Sequence, residues 1–480
     1  FWERDETLDL DYHIRHSALP KPGRYRELFA LISRLHGTQL DRNRPLWEMH
    51  LIEGLQNRQF AVYSKYHHAA VDGIRSIHLT QSMYSSSARE RIHDSPLSLA
   101  AGERYRLAME KLQPSAPSDS EVHHVADALK AQFDSGAHIF GAMKKASATW
   151  LGRDTPLALP WIDVPSTSIN TPVDGARRFV AQSWAFDRVR AVGKALDGTF
   201  NDAVLAMCAG ALRTYLESRR ELPDISLKAM VPISLRRPGD LDSSNAVGTI
   251  SADLATNIKD PIKRFEAIQA SMRAGKELFD GMSMQEAQLF IAATQMPGLF
   301  LIPLGLMSKF PAYSTVISNV PGPREAMYWN GARLEGIYPA SIVTEGSALN
   351  ITLVTYENNV DFGIVACRRS LPQVQRIIDY LEDALVELED AVGIAPARAA
   401  RRGSTASKRS AGAKAKTKTK AKTKAKPETK AKAKPKTKAK AGAKPKTKAG
   451  AKPKAKPKTK AKPKTKAKAG AKPKTKAKTK

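Results

Sequence analysis

Two cysteines, Cys208 and Cys367, are all that 480 residues contain, too few for a disulfide framework or a cysteine metal cluster, and such poverty suits a reducing compartment. No uninterrupted apolar stretch reaches the ~20 residues of a membrane-spanning helix. The most apolar segment, 289–307, is interrupted by Gln295, Pro297, Gly298, Pro303 and Gly305, so broken helices are expected there, in a core or on a bilayer surface, with core packing expected first. No signal-peptide pattern opens the chain, and its start reads like the middle of a domain, so further sequence is expected ahead of Phe1. Acidic residues all but vanish after residue 397: residues 398–480 hold 35 Lys and Arg against one acid, Glu428. The formal charge of +30 therefore belongs to the tail, and the remainder is mildly acidic.

That tail is a two-residue repeat. From 414 to 480 every even position is lysine except Glu428, Gly442, Gly450 and Gly470, interleaved with Ala, Thr, Pro and Gly. No apolar side chain larger than alanine is there to offset the entropy of ordering, so disorder is expected over 397–480. Such a charge attracts polyanions: an anionic membrane or lipid-inclusion surface, nucleic acid or polyphosphate.

The remaining four hundred residues exceed one typical domain and predict two lobes, 1–165 with a crossover and 166–396. Leu8, Leu10, Tyr12 and Ile14 alternate with polar residues, which predicts an opening strand with no visible partner before it. Pro20 to Gly23 reads as a turn, and Leu28, Leu31, Ile32 and Leu35 as a helix that Gly37 ends. Trp47, Met49 and Leu51 then share one face of a strand that Gly54 to Arg58 turns back as a hairpin.

The returning strand carries Tyr63-Ser64-Lys65-Tyr66-His67-His68-Ala69-Ala70-Val71-Asp72-Gly73. Its alternation predicts that the two histidines are its last residues, and Ile74, Ile77, His78 and Met83 begin a helix, so His68 and Asp72 fall on a strand-to-helix connection. A neutral imidazole can take a proton from an alcohol near neutral pH and return it to a leaving thiolate. Taken alone, two adjacent histidines are more often metal ligands or a satisfied polar pair than a catalytic base, and Asp72 suits a turn-stabilising role. His123-His124 lacks the following Asp-Gly and is assigned no chemistry.

Further on, Arg178 to Phe186 reads as a strand and Val189, Val192 and Leu196 as a helix face. Asn201-Asp202 opens another helix, where an isolated Asn reads first as an N-cap. Leu227 to Ile233 and Ala246 to Leu254 are expected strands. Tyr313 to Ser318 is expected to run into a rigid turn at Asn319-Val320-Pro321-Gly322-Pro323. Leu349 to Val354 and Val360 to Cys367 should form a hairpin, and Leu371 to Val392 a closing helix.

His67-His68-Ala69-Ala70-Val71-Asp72-Gly73, Pro45-Leu46-Trp47-Glu48, Asn201-Asp202, Pro232-Ile233-Ser234, Ser318-Asn319-Val320-Pro321-Gly322-Pro323 and Ala348-Leu349-Asn350-Ile351 stand in one order. In that order the chain, over about residues 1–392, resembles bacterial wax ester synthase/diacylglycerol acyltransferases. The resemblance implies an α/β fold of two chloramphenicol-acetyltransferase-like lobes with mixed sheets and a channel between them. It implies transfer from acyl-CoA, as substrate, to diacylglycerol or a long-chain alcohol, with no metal or redox cofactor. His68 would be the general base, His67 its positioning neighbour and Asp72 a structural partner. The tetrahedral oxyanion needs a donor, Asn201 first or backbone amides around Ser318 and Asn319, and Trp47, Ser318 and Asn319 are the candidates for substrate contact. The expected location is cytoplasmic, peripheral to a membrane or lipid inclusion. Two other readings stand beside this one: a carrier-protein-dependent condensation enzyme with the same histidine motif, and a non-enzymatic scaffold that binds polyanions through its tail.

Overall fold

The computed structural model describes residues 8–69, 73–91, 155–234 and 247–394, with scattered positions between 98 and 146. Two units divide the chain, Phe1–Arg402 and Gly403–Lys480, and the description concerns the first. The expectations for the tail, for Asp72 and for His123-His124 lie outside the described residues.

The expected opening strand begins late. Asp9 Oδ1 accepts the amides of Asp11 and Tyr12 at 3.1 and 3.3 Å and winds Leu10–His13 into one helical turn, α1. Strand β1 then runs Ile14–Ala18 and finds its partner downstream, in parallel register with β2, Trp47–Glu53. β2 pairs antiparallel with β3, Ala61–Tyr66, and completes a three-stranded sheet. As the middle strand it is covered on both faces: Glu48, His50 and Ile52 are buried along with Met49, so the single apolar face expected from Trp47, Met49 and Leu51 is only half of it.

Helix α2, Tyr25–Gly37, joins this sheet to the second one. Its Leu28 and Ile32 share a core with Ile52 and Tyr63 on one side and with Phe179, Ala181 and Val365 on the other. Ser33 Oγ accepts the amide of Phe179 at 2.8 Å, so the helix covers an outer strand and occupies one of its open backbone donors.

The second sheet has six strands in the order β4-β11-β10-β7-β5-β6. They are β4 Arg177–Ala185, β5 Lys228–Ser234, β6 Val247–Asp253, β7 Thr315–Val320, β10 Leu349–Tyr356 and β11 Asn359–Cys367. A small hairpin, β8 Tyr328–Trp329 with β9 Ala332–Arg333, stands apart. β5, β7 and β10 run parallel to one another, and β4 runs the same way because β11 is antiparallel to both β4 and β10. Their C-terminal ends therefore share one edge. All eight residues of β10 are buried, which a sheet covered on both faces requires.

The covering helices are α4 Phe186–Ala195, α5 Phe200–Ser218, α6 Pro261–Glu277 and α8 Arg376–Ala391, while α3, Gly73–Ser82, follows the histidine motif. In α5 every residue from Asp202 to Leu212 is buried, and Gly210 lets it approach α8, where an added Cβ would stand 2.8 Å from that of Ala384. The N-cap of α5 is Thr199, which exchanges hydrogen bonds with Asp202, and not Asn201.

The apolar segment departs most from expectation. Met284–Leu301 forms one helix, α7, with Pro297 inside it, followed by turns, and Leu289, Leu299, Phe300, Ile302 and Leu304 are 61–68 % exposed. Core packing accounts only for its other face, where Phe290 joins Leu157, Leu159 and Leu278.

Candidate active site

β3 carries the chain to the histidines but stops one residue short of them, at Tyr66, which pairs with Trp47. The amide of His67 donates to the Leu46 carbonyl at 3.0 Å, so Pro45-Leu46-Trp47 holds the point where the strand ends. The Ala69 amide then donates to His67 Nδ1 at 3.2 Å and curls the chain into a turn, with both imidazoles exposed. A ring nitrogen that accepts carries no proton, so the neutral His67 ring is protonated at Nε2 and its basic nitrogen is occupied by the backbone.

Beyond the turn, α3 begins at Gly73, where an added Cβ would meet Val320 Cγ2 at 3.3 Å. The end of the histidine motif thus lies against the end of β7, where Ser318-Asn319-Val320 leads into Pro321-Gly322-Pro323. Ser85 and Tyr328 exchange backbone hydrogen bonds at 2.8 and 2.7 Å and tie the chain after α3 to the same side. Two segments some 250 residues apart in sequence are held together by a contact at each end of α3.

The start of α5 reaches this edge by a stack of rings. Arg324, next after Pro323, places its guanidinium carbon 4.0 Å from the ring centre of Phe186, which stacks on Phe200 at 4.6 Å. Phe200 immediately precedes the half-buried Asn201. Pro232-Ile233-Ser234 ends β5 at the same edge. Ligands of open α/β sheets collect outside the carboxyl ends of parallel strands, and four of the six sequence motifs converge on such an edge.

Other candidates separate. Ser318 and Asn319 pair with Thr352 and Leu353 and, as neighbours on a strand, project to opposite faces of the sheet. Ala348-Leu349-Asn350-Ile351 lies at the other end of the sheet, buried at the start of β10, where it contributes to the core. Trp47 stacks on His13 with ring centres 4.5 Å apart, and His13 Nδ1–H donates to the Trp47 carbonyl at 2.7 Å. A small cavity lined by Leu159, Ile250, Phe279, Phe290, Thr294 and Tyr313 contains none of the candidate residues and belongs to the back of α7.

Sequence reasoning passed over the polar groups beneath the histidines. Glu48 is 6 % exposed and receives Lys65 from the facing strand at 2.6 Å, with Arg15 at 3.6 Å and His50 Nε2 at 3.9 Å. Lys65 Nζ also donates to the Leu35 and Thr38 carbonyls at 3.1 and 2.7 Å, closing the C-terminal end of α2. Burial pushes the His50 pKa below its ordinary value. The available signal was an acid and a base, two residues inside their strands, in facing register.

Two family descriptions match this chain: "Wax ester synthase/diacylglycerol acyltransferase catalytic domain" over residues 1–204, and "WS/DGAT C-terminal domain" over 243–389. A Mycobacterium tuberculosis protein named "Probable diacyglycerol O-acyltransferase tgs2" is 44% identical over 400 residues, 82% of this chain and 84% of that one. An Acinetobacter baylyi protein named "O-acyltransferase WSD" is 40% identical over 392 residues, again 82% and 84%. Among solved structures, the "Wax ester synthase/diacylglycerol acyltransferase from Marinobacter aquaeolei VT8" superposes with a TM-score of 0.63 at 38% identity, covering 82% of this chain and 83% of that one. The chain belongs to the wax ester synthase/diacylglycerol acyltransferase family, and it is an acyltransferase of mixed α/β fold.

Proposed function

We propose that this chain transfers the acyl group of acyl-CoA to the hydroxyl of diacylglycerol or of a long-chain alcohol, with His68 as general base. The neutral imidazole of His68 takes the hydroxyl proton as the oxygen bonds to the thioester carbonyl carbon. The tetrahedral oxyanion then collapses, the carbon–sulfur bond breaks, and the coenzyme A thiolate leaves with the proton that His68 returns. The thioester is already activated, so the enzyme need supply no nucleophile of its own.

The observation that carries the assignment is the turn itself. His67 has its Nδ1 engaged by the Ala69 amide while His68 follows it into an exposed turn, and Gly73, the last residue of the motif, lies against Val320 at the end of β7. His67 then serves to position the turn, and Asp72 to stabilise it. Asn201 is the first oxyanion donor, supported by the Arg324, Phe186 and Phe200 stack that brings the start of α5 to this edge. In this reading substrates enter a channel between 1–165 and 166–396, and the tail beyond 397 holds the enzyme at the cytoplasmic side of an anionic membrane or lipid inclusion, with nucleic acid and polyphosphate as the other polyanions it would attract.

The test is thin-layer chromatography of lipid products formed from acyl-CoA with hexadecanol or diacylglycerol. His68→Ala is expected to lose about 10²–10⁴-fold in turnover with its melting behaviour intact, and His67→Ala only part of that. Unchanged turnover in His68→Ala would sink the mechanism.

A further inference from the structure

Helix α7 and the turns after it present an apolar face that stands exposed among the described residues. Met296 stands seven residues after Leu289, and Leu299 and Phe300 stand three and four after Met296, so the four share one side of the helix. Ile302, Leu304 and Phe310 continue the surface beyond the helix, and six of these seven side chains are 60–68 % exposed. The opposite side is firmly attached. Phe290 packs among Leu157, Leu159 and Leu278, and the Trp161 Nε1–H donates to the Thr294 carbonyl at 2.9 Å.

What could cover such a face is limited by its chemistry. Between Ala287 and Ser308 there is no Asp, Glu, Lys or Arg, and the first charge met is Lys309, a cation and exposed. A protein partner would need a polar rim and about one hydrogen bond per 100–200 Å², and the exposed helical face offers almost no side chain to make them. A lipid surface requires none, and Lys309 at the rim complements anionic headgroups. Lipid favours backbone donors that are satisfied internally, and five of those after the helix are: Ile302, Gly305, Leu306, Lys309 and Phe310 donate their amides to carbonyls of Gly298, Ile302, Leu301 and Leu306 at 2.9–3.0 Å. Pro297 and Pro303 have no amide to satisfy. α7 is not long and apolar enough to cross a membrane, so the geometry is that of an element lying in the interface.

We infer that α7 and residues 302–310 form a lipid-docking face that inserts into the headgroup and upper acyl region of an anionic phospholipid surface. Insertion reaches about 5–10 Å, the depth at which the exposed leucines and phenylalanines leave water while Lys309 stays among headgroups. The inference rests on this surface and not on the assignment of His68.

The test is flotation of the full chain with phosphatidylcholine/phosphatidylglycerol vesicles at about 0.5 M salt, where attraction to the lysine tail is screened to a few ångströms. The natural chain should float, Leu299→Asp with Phe300→Asp should lower its partitioning at least tenfold, and Leu299→Met with Phe300→Leu should float as the natural chain does. Ile302→Asp with Leu304→Asp provides a second, independent loss. Equal melting temperatures establish that both pairs fold. Flotation unaffected by either Asp pair, or failure of the natural chain to float, overturns the inference. So does light scattering that shows the Asp pairs dissolving a dimer of the natural chain while flotation is retained. The readout needs no acyl transfer, so a chain that floats but makes no ester upholds the docking face and overturns the catalytic proposal alone.

Discussion

The two sheets meet around α2 and are stabilised by opposite means. In the six-stranded sheet, β10 and β11 bury apolar residues on both faces, and the single buried carboxylate of β11, Asp361, is solvated by one hydroxyl and one amide. In the three-stranded sheet the middle strand instead buries Glu48 and His50 against Lys65 and Arg15. The large sheet buries its charges singly on neutral partners, Asp361 on those two donors and Lys228 of β5 on the Ile162 carbonyl, whereas the three short strands beside a solvent-exposed turn bury theirs as ion pairs with fixed geometry. The lesson is that the histidines stand on the sheet whose interior tolerates substitution least predictably.

The sharpest way to break that comparison is Lys65→Met. It leaves the Glu48 carboxylate buried without its nearest cation and opens the Leu35 and Thr38 carbonyls of α2. Breaking a buried pair from one side typically costs about 3–5 kcal/mol, and the lower end applies here because Arg15 remains 3.6 Å away. Chemical denaturation should show it as a lowered midpoint with unchanged slope; a loss below 1 kcal/mol would mean that the pair is no structural centre.

The six-stranded sheet is expected to respond to pH through Asp361. Burial raises its pKa to about 6, against an ordinary value near 4, although Ser183 and the Ile337 amide both donate to it. A carboxyl raised on folding favours the native state while protonated, so this contribution is full below about pH 4 and is lost as pH climbs through 6. The swing is at most about 3 kcal/mol, at 1.36 kcal/mol per unit. Asp361→Asn should remove that slope between pH 4 and 6 from the stability profile; an unaltered slope would place the titration elsewhere.

Much of this was legible in the sequence where one interaction dominates. The hairpin of β10 and β11, the Pro20–Gly23 turn, α2 and the helix after Gly73 follow from periodicity and turn residues, which are local. Misreadings came where a distant or competing group decides. Asp9 captured two amides that the alternation of Leu8, Leu10 and Tyr12 had assigned to a strand. Thr199 outcompeted Asn201 for the cap because Asp202 answers it from the third helical position. The exposed face of α7 was hidden because apolar composition reads alike whether it meets a core or a surface. At the site, the motif histidines were visible as residues, but their neighbourhood with Val320 and the Glu48 pair depends on strand register, which one sequence does not specify.

The smallest effect is also the finest probe of the contrast. Replacing both partners, Glu48→Met with Lys65→Met, removes the unpaired charge that makes the single change costly, and buried ion pairs replaced by apolar residues of similar volume are often neutral. It does not restore what Lys65 gave α2, two charge-assisted hydrogen bonds to its last carbonyls, nor the pairing of Arg15. Arg15 is 39% exposed and can turn to water, and water can also reach Thr38, which is exposed. The double variant should therefore lie only about 1 kcal/mol below the natural chain, well above Lys65→Met alone, with a coupling between the two sites of at least about 2 kcal/mol, larger by whatever Glu48→Met costs alone. Measured by the double-mutant cycle, that coupling locates the polar sheet's stability in the pair; additive losses would place it instead in the cap on α2, and the two sheets would differ less than their burial suggests.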